Sequence, residues 1–466
     1  MKKSHFSLKS FKSVWLLGLA TAVMLMAASC SKSTDDSGII PPVDPSNTTD
    51  VRGSISKDVS WTKDKVYRLR GYVYVEAGAT LTIEPGTKIV SNNDSAGVLV
   101  IYKGAKINAK GTATDPIVFT SAESSPKPGD LGGLVLVGKA TGNGNHANLE
   151  GGVNDAHKDF GGTDDADNSG VLQYVRIEYA GKAVNPDDEV NGLSLYTVGN
   201  GTTIDHIQVI RGLDDGFEFF GGSVNCKYLI AYNCADDDFD MDDGFHGKIQ
   251  YGLSIKDPAF TDSKGTTGDL SNNFEIDNTN GKIPFSTTPM TTPLLSNFTA
   301  IGPNNAAGTS TDFGYGMRFR RGSKVTLANS IVLGSQKGGL IIEDDQTQTN
   351  YKSGDSRFYN SLIQAVTKPF LVLGKDSTIL NTAALTSLTL GSNLSQLLSS
   401  ATDAGLNDPF NNQAPNLKPK DGSKALTTAG KFDVNGLDNG FFDKTTFIGA
   451  MDASNDWTSG WAVWGK

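Results

Sequence analysis

The sequence has few of the residues used for redox, zinc or nucleic-acid chemistry. Its 466 residues include three cysteines and five histidines, and its formal net charge is −10. No two histidines are spaced four residues apart and no cysteine pair has metal-ligand spacing, so the sequence does not predict a zinc site. The acidic balance disfavours nucleic acid and anionic lipid as partners, and it is compatible with calcium or with a cationic or neutral polymer.

A disulfide is also not expected in the folded part. Cys226 and Cys234 flank the strand-like segment KYLIAYN. Eight extended residues span about 26 Å, whereas the Cα atoms of a disulfide lie within about 7 Å of each other. We therefore expect two free, buried thiols.

Long hydrophobic runs are missing apart from one near the N-terminus. The run VWLLGLATAVMLMAA (14–28) follows four lysines and is short for a membrane span, so it predicts a secretory signal peptide over residues 1–29. The ending Ala27-Ala28-Ser29-Cys30 is similar to a bacterial lipobox, which implies that Cys30 becomes the lipidated first residue of the mature chain. The alternative is plain secretion with Cys30 as an ordinary residue.

The segment after the signal peptide is polar and contains proline. We expect the lipidated Cys30 and a flexible tether over residues 30–50, and a single domain over residues 51–466. No later segment is long and apolar enough to span a bilayer. Ser31 after Cys30 is, by the same resemblance, typical of the outer membrane, so the predicted location is the outer membrane, through a lipid anchor, with the domain exposed at the cell surface.

Short runs of alternating apolar and polar residues fill most of the remaining chain. They are clear in YRLRGYVYVEAGATLTIEPGTKIV (67–90) and GVLVIYKGAKINAKGTATDPIVFTS (97–121), which are divided by glycine-containing turns. Alternation with a period of two predicts half-buried strands, and the turns are too short for crossover helices. Evenly spaced short strands fit either an antiparallel sandwich or a solenoid.

An internal repeat decides between these two architectures. DDGFEF (214–219) aligns with DDDFDM (236–241) at an offset of 22 residues, and GLSLYTVGNGTTIDHIQV (192–209) resembles GMRFRRGSKVTLANSIVL (316–333). Units that recur with variable insertions are coils of a parallel β-helix, which bury their apolar faces against one another. The prediction is an all-β parallel β-helix, or solenoid, with coils over about residues 60–375 and long loop insertions over residues 141–168, 257–290 and 344–357. A C-terminal extension and cap follow over about residues 376–466, with Trp457, Trp461 and Trp464 expected to cover the open end of the stack.

Several motifs resemble a known family. TLTIEPGTKI, PGDLGGLVLVGKA, SGVLQYVRIEYAG, DDGFEFFGG and DDDFDMDDGFHGK are similar to motifs of right-handed parallel β-helix, pectin-lyase-like surface proteins exported by Gram-negative bacteria. The resemblance covers the chain from about residue 60 to its C-terminus and implies a right-handed β-helix. It implies no particular reaction, because many of these proteins have no assigned one and a fold alone does not define chemistry.

Aspartates cluster where the repeat is strongest. Equivalent residues of successive coils lie about 4.8 Å apart, so Glu218 and Asp240 should stack on the outside while Phe217 and Phe239 point inward. Like charges at this separation repel by about 1 kcal/mol per pair in water, and calcium, which takes six to eight oxygen ligands, would bridge them. The alternative is that the aspartates hydrogen-bond to the backbone of their own turns. The predicted structural Ca²⁺ ligands are Asp214, Asp215, Asp236, Asp237 and Asp238.

A second calcium candidate is DDADNSG (164–170). Asp165, Asp167 and Ser169 match the opening of a D-x-D-x-S-G calcium loop, but Arg176 stands where the loop needs an acidic residue. A turn closed by glycine is the alternative interpretation.

The aspartate cluster also contains catalytic candidates. Inverting glycosidases place two carboxylates about 6.5–9.5 Å apart. By resemblance, some β-helix polysaccharide hydrolases use aspartate pairs on adjacent coils near a Gly-His-Gly motif and basic residues, although Phe245 replaces the first glycine here. The candidates are Asp215, Asp237, Glu218, Asp240, His246 and Lys248.

The sequence favours a non-enzymatic cell-surface β-helix that binds a glycan, a matrix component or an outer-membrane partner protein. Outward aromatic residues such as Tyr174, Tyr196 and Tyr232 would supply stacking surfaces for sugars. One alternative is a calcium-dependent polysaccharide lyase or glycoside hydrolase that acts on acidic polysaccharide. Another is an accessory subunit of an outer-membrane uptake complex.

Overall fold

The computed structural model describes residues 45–181, 183–185, 188–261, 270–376 and 378–466. The predicted signal peptide, Cys30 and tether residues 30–44 lie outside the described residues. None of the three α-helices in the described ranges combines the length and the apolarity that crossing a bilayer would require.

Short strands dominate the described chain. The strands up to the middle of the chain are β1 (Thr48–Ile55), β2 (Val59–Trp61), β3 (Val66–Val75), β4 (Thr80–Ile83), β5 (Lys88–Ser91), β6 (Val98–Ile101), β7 (Lys106–Lys110), β8 (Ile117–Ser121), β9 (Gly133–Val137), β10 (Gly170–Glu178), β11 (Ala183–Asn185), β12 (Asp188–Glu189), β13 (Leu193–Tyr196), β14 (Thr203–Ile210), β15 (Phe217–Phe220), β16 (Asn225–Tyr232), β17 (Phe239–Asp242) and β18 (Lys248–Ile255). The later strands are β19 (Phe274–Asp277), β20 (Leu294–Ile301), β21 (Tyr315–Arg320), β22 (Thr326–Ala328), β23 (Ile331–Ser335), β24 (Gly338–Glu343), β25 (Arg357–Tyr359), β26 (Leu362–Ala365), β27 (Lys368–Leu373), β28 (Gln396–Leu397), β29 (Leu406–Asp408) and β30 (Asn416–Pro419). The helices are α1 (Asp345–Ser353), α2 (Thr382–Leu390) and α3 (Lys424–Thr427), with 3₁₀ turns at Pro45–Asn47 and Ala401–Ala404.

The strands wind into a right-handed parallel β-helix with three sheets. Sheet A contains β2, β4, β7, the first halves of β10, β14, β16, β18 and β20, and then β22 and β25. Sheet B contains the first parts of β1 and β3, then β5, β8, the second halves of the same five long strands, β23, β26 and β28. Sheet C contains the second parts of β1 and β3, then β6, β9, β13, β15, β17, β19, β21, β24 and β27. The predicted fold class is therefore confirmed.

Buried aromatic residues set the register of sheet C. Phe217, Phe239 and Phe274 are fully buried, and their ring centroids are 5.2 and 5.4 Å apart along the stack. The pairing of Phe217 with Phe239 and of Phe219 with Met241 confirms the repeat of 22 residues. Since side chains alternate across a strand, these inward residues fix which neighbours point outward.

From β10 to β26, a single residue with positive φ makes the corner between sheets A and B in each coil. The left-handed conformation costs an L-residue roughly 1–2 kcal/mol. Along the corner, the aromatic rings stack with centroids 4.3 to 4.9 Å apart, and the amide of Asn360 donates a 2.8 Å hydrogen bond to Oδ1 of Asn329. Contacts between coils thus offset the strain of each corner. The corner residues are Tyr174, His206, Tyr228, Tyr251, Asn297, Asn329 and Asn360.

The C-terminal extension covers two parts of the β-helix. Leu380 and Leu385, next to and within α2, are buried in the central core, and α2 packs against β25 and β27 of the last coils. The expectation that the tryptophans cover this end is wrong. Trp461 packs edge-on against Tyr174 and Trp457 packs against Tyr228, so both lie along the corner of sheets A and B. That corner exposes an aromatic surface, whereas the leucines already cover the end of the core.

The outward tyrosines are not open stacking surfaces. Tyr196 and Tyr232 are buried, and Tyr174 is half-buried beneath Trp461. Trp464 lies edge-on against Tyr232. The predicted role of these tyrosines in sugar stacking is therefore wrong, because later segments of the same chain cover them.

The thiols are as expected. Cys226 and Cys234 are both free and buried. Burial raises the pKa of Cys234 to about 12, so this thiol stays protonated.

Candidate cation-binding site

Sheet C carries a row of acidic side chains on its outer face. The register stacks Glu218 of β15 on Asp240 of β17, and Asp240 on Glu275 of β19. Asp215 and Asp237 occupy the turns before β15 and β17. We refer to these five residues as the carboxylate column. The predicted stacking of Glu218 on Asp240 is observed.

The oxygen atoms of the column are close together. One oxygen from each of Asp215, Glu218 and Asp240 lies within 4.8 Å of the other two, and the same limit holds for Asp237, Asp240 and Glu275. Asp214 and Asp236 join Asp215 in a third group of this kind. Because the groups share Asp215 and Asp240, the carboxylates form one continuous set across three coils.

Two aspartates of the column accept hydrogen bonds from the backbone. Oδ1 of Asp215 accepts a hydrogen bond of 2.8 Å from the backbone N–H of Asp237, and Oδ1 of Asp237 accepts one from the backbone N–H of Asn272. These bonds hold successive turns together, as the turn interpretation of the aspartates predicts. These bonds do not involve Oδ1 of Asp240.

Two buried oxygen atoms, one in the column and one next to it, have no hydrogen-bond partner among the described residues. They are Oδ1 of Asp240 and Oδ1 of Asn191. The amide nitrogen of Asn191 donates to Glu218 and, over 3.3 Å, to Oγ of Ser194, which fixes the amide next to the column. A buried oxygen without a donor costs about 1–3 kcal/mol, and a bound cation would remove that cost.

The protonation of the column reflects this crowding. Burial first, and then the neighbouring carboxylates, raise the pKa of Asp215 and Asp240 well above the ordinary 3.8 and that of Glu218 well above 4.5. Such shifts arise where carboxylates share a site without a compensating cation.

Arginines neutralise only one end of the column. Nη1 of Arg318 lies 2.9 Å from Glu275, and Arg320 also contacts Glu275 while its Nε lies 2.7 Å from Asp277. In contrast, no ion pair to Asp215, Glu218 or Asp240 is found within the described ranges. Asp215, Glu218 and Asp240, on the coils of β15 and β17, are therefore the column residues without an ion pair in the described part of the chain.

Asp238 does not belong to the column, although it was a predicted calcium ligand. Its carboxylate is fully buried, lies 3.1 Å from Nζ of Lys256 and accepts a hydrogen bond from Oγ of Ser254. The ammonium of Lys256 pairs with this carboxylate, and Asp238 is not grouped with other potential metal ligands among the described residues.

The second calcium candidate forms turn contacts. Asp165 accepts a 2.9 Å hydrogen bond from the backbone N–H of Thr141, and Oγ of Ser169 donates to Asp167 over 3.4 Å. Neither aspartate is grouped with other potential metal ligands among the described residues. These contacts favour the turn interpretation of residues 164–170.

The predicted basic catalytic partners lie away from the column. Nε2 of His246 is 3.3 Å from Asp165, and its Nδ1 is 2.8 Å from the carbonyl oxygen of Gly244. Lys248 begins β18 in sheet A. The structure therefore brings together Asp215, Glu218, Asp237 and Asp240 but does not add His246 or Lys248 to them.

A second group of potential ligands lies at the carboxyl end of β17. Ligand atoms of His146, Asp242 and Asp243 lie within 4.8 Å of one another. Nδ1 of His146 is 3.0 Å from Oδ2 of Asp243. Burial alone would lower the pKa of His146, but the hydrogen bond and charge of Asp243 outweigh it and raise the pKa to about 9.

Sequence reasoning missed three residues of these sites. Glu275 lies in FEID (274–277), which repeats the apolar–acidic alternation of FDMD (239–242), so continuing the repeat past the insertion would have found it. Asn191 and His146 come from irregular segments, and no periodic pattern marks them.

The fold agrees with a comparison against known protein families. A family model described as a pectate-lyase-like β-helix domain matches residues 53–401, which is well over half of the chain. No curated protein and no solved structure matches the chain. The chain belongs to the pectate-lyase-like β-helix domain family.

Proposed function

We propose that this protein is an exported, lipid-anchored β-helix of the cell surface that binds Ca²⁺ in the carboxylate column and, through the ion, a glycan. The observation that carries the proposal is the unpartnered, buried Oδ1 of Asp240 at the centre of the column. Export and anchoring rest on the apolar run at residues 14–28 and on Cys30.

The ligand set supports calcium. Asp215, Glu218, Asp240 and the free oxygen of Asn191 offer only oxygen atoms, which Ca²⁺ binds at about 2.3–2.6 Å in irregular geometry. A divalent cation would also offset the repulsion that raises the pKa of these carboxyl groups.

The position of the column supports a polymeric ligand. Asp240 in the column is half-buried, as are the neighbouring Asp214 and Asp236, so this part of the column reaches the outer surface of sheet C. An ion held there would keep coordination positions for the hydroxyl or carboxylate oxygens of a sugar. Long solenoid faces suit extended ligands.

The geometry disfavours inverting hydrolysis and elimination. Oxygens of Asp215, Glu218 and Asp240 approach within 4.8 Å, whereas the carboxylates of inverting glycosidases lie roughly 6.5–9.5 Å apart. A lyase needs a basic side chain near the sugar, and Arg318 and Arg320 are held in ion pairs with acidic residues. We therefore propose a binding protein without enzymatic activity.

The test is a binding assay with immobilised neutral and acidic polysaccharides, in calcium and in chelator. We expect retention on at least one polysaccharide in calcium only, with no change in polymer length. The double variant Glu218→Gln with Asp240→Asn should lose retention. A double variant at exposed sites, Asp421→Asn with Asp438→Asn, removes the same charge and should keep it.

Each other outcome contradicts part of the proposal. Retention that is equal in chelator would exclude a bridging ion. Release of unsaturated or reducing sugar that is lost in the Glu218→Gln, Asp240→Asn variant would establish the lyase or hydrolase instead. Co-purification with an outer-membrane protein, without glycan binding, would favour the accessory subunit.

A further inference from the structure

Strand β17 ends in a second set of potential metal ligands that the carboxylate column does not use. Asp242 and Asp243 are 7% and 1% exposed, and the loop that follows β9 brings His146 against them. One ligand atom from each residue lies within 4.8 Å of the others. We infer that His146, Asp242 and Asp243 form a site for a first-row transition-metal ion such as Zn²⁺, which fastens the loop to β17.

An unsatisfied atom points to a ligand at this place. Oδ1 of Asp242 is buried and has no hydrogen-bond partner among the described residues. Asp243, in contrast, is well satisfied, since it accepts a 2.7 Å hydrogen bond from the amide of Asn145 and faces His146. The site therefore has one carboxylate whose position is fixed and one whose oxygen lacks a donor.

The distances suit a small ion. Ligand atoms bound to Zn²⁺ at about 2.0–2.2 Å lie roughly 3–3.5 Å apart. Nδ1 of His146 and Oδ2 of Asp243 are already 3.0 Å apart. Glu150, whose Oε1 lies 3.9 Å from Nε2 of His146, is on the far side of the ring.

The chemistry of the ligands separates this site from the column. An imidazole nitrogen with two carboxylates favours Zn²⁺ or a similar transition metal, whereas the oxygen-only column favours Ca²⁺. No histidine pair signals this site in the sequence, because its ligands come from one loop and one distant strand. The inference does not depend on glycan binding.

The loop already has a framework that a metal ion would complete. The backbone N–H of Asn143 donates to the carbonyl oxygen of Asp243 over 2.8 Å, and its side chain donates to the carbonyl oxygen of Asn278 over 2.7 Å. The ring of His146 packs edge-on against Phe220, with centroids 5.5 Å apart. A bound ion would add a link between this loop and β17.

The test is calorimetric titration of Zn²⁺ into the chelator-treated, full-length protein, with hydrogen exchange of residues 141–151 as a second readout. We expect one saturable site and slower exchange of the loop with Zn²⁺. His146→Gln and Asp242→Asn should each weaken binding at least tenfold and remove the effect on exchange. His157→Gln changes a buried histidine of the same insertion that contacts Asn154 and Glu76, and it should leave Zn²⁺ affinity and the effect of Zn²⁺ on exchange unchanged.

Asp242→Asn keeps the volume of the side chain and removes a repulsive charge, so it provides a folded variant if His146→Gln does not fold. Absence of saturable Zn²⁺ binding by the wild-type protein would overturn the inference. Equal binding by wild type and Asp242→Asn would also overturn it, as would Ca²⁺ binding this site as tightly as Zn²⁺. Loss of Ca²⁺ binding at the column, with Zn²⁺ binding intact, would count against the proposed function alone.

Discussion

Two outer surfaces of the same coils differ in whether the rest of the chain satisfies their side chains. Along the corner of sheets A and B, aromatic and asparagine side chains face outward, and the C-terminal extension covers the aromatic ones with Trp457 and Trp461. On sheet C, the outward side chains at equivalent positions of β15, β17 and β19 are carboxylates. At the centre of that face, Oδ1 of Asp240 has no partner in the described part of the chain.

The contrast shows which surface needs a ligand. Contacts at the corner are satisfied within the chain, as when Gln208 exchanges hydrogen bonds of 2.9 and 3.0 Å with the backbone of Val463. The column has like charges beside one another and an unpaired oxygen. Buried groups of that kind require a counter-ion or protonation. The corner therefore contributes to stability, and sheet C is the candidate binding face.

The largest loss of stability is expected when a tryptophan that covers the corner is removed. Trp461 is 1% exposed, and its Nε1 donates a 2.7 Å hydrogen bond to the carbonyl oxygen of Trp457. We expect Trp461→Ala to reduce the free energy of unfolding by about 3–5 kcal/mol. Denaturant unfolding measures the change. Trp464→Ala, at a half-buried tryptophan, should cost less, and equal losses in the two variants would contradict the proposed cover.

The next effect is stabilisation of the carboxylate column by calcium. At a free concentration one hundred times Kd, Ca²⁺ should stabilise the wild-type protein by about 2.7 kcal/mol. Thermal unfolding in calcium and in chelator measures this difference. The shift should vanish in the Glu218→Gln, Asp240→Asn variant and persist in Trp464→Ala. A calcium shift that survives the double substitution would place the ion elsewhere.

Without calcium, the carboxylate column should make the protein less stable as the pH rises. Because Asp215, Glu218 and Asp240 have a raised pKa when folded, the folded state binds protons more tightly than the unfolded state. Their contribution is fully present below the unfolded pKa of about 4, and it is lost as pH rises towards the folded values.

In chelator, the free energy of unfolding should therefore be lower at pH 8 than at pH 5. The difference is at most about 1.4 kcal/mol for each unit by which folding raises a pKa. His146, with its pKa raised to about 9, adds a further loss of stability as the pH rises from about 6.5 to 9. The difference in slope between wild type and Glu218→Gln, Asp240→Asn isolates these two carboxyl groups, and the variant should lose less stability between pH 4 and 6.5. Equal slopes in the two proteins would contradict the repulsion.

The smallest expected effect is a gain in stability. Asp240→Asn removes one charge from between Glu218 and Glu275 and keeps the shape of the side chain. We expect the calcium-free variant to be more stable than wild type by about 1 kcal/mol, and less stabilised by calcium. Denaturant unfolding in chelator checks the first part. A loss of stability in chelator would mean that Asp240 is satisfied in the absence of an ion.

The sequence allowed the coil stacking and the column to be predicted, because both follow from local alternation and one repeat. Buried phenylalanines 22 residues apart define the register, and that register carries Glu218 onto Asp240. Glu275 was missed because an insertion breaks the spacing before β19.

The remaining errors share a physical cause, which is contact with a distant segment. Asp238 looks like its neighbour Asp237 in the sequence, but Lys256 of the next coil pairs with it inside the protein. The tryptophans look like a terminal cap, yet the aromatic corner that they cover is assembled only when the coils stack. Neither contact leaves a periodic signal.

The most direct test is a crystal structure of the protein grown in calcium. We expect a peak of electron density about 2.3–2.6 Å from oxygens of Glu218 and Asp240, with Oδ1 of Asp240 among the ligands. A structure in calcium with no ion between these carboxylates, and with Oδ1 of Asp240 hydrogen-bonded to water or to a protonated neighbour, would contradict it.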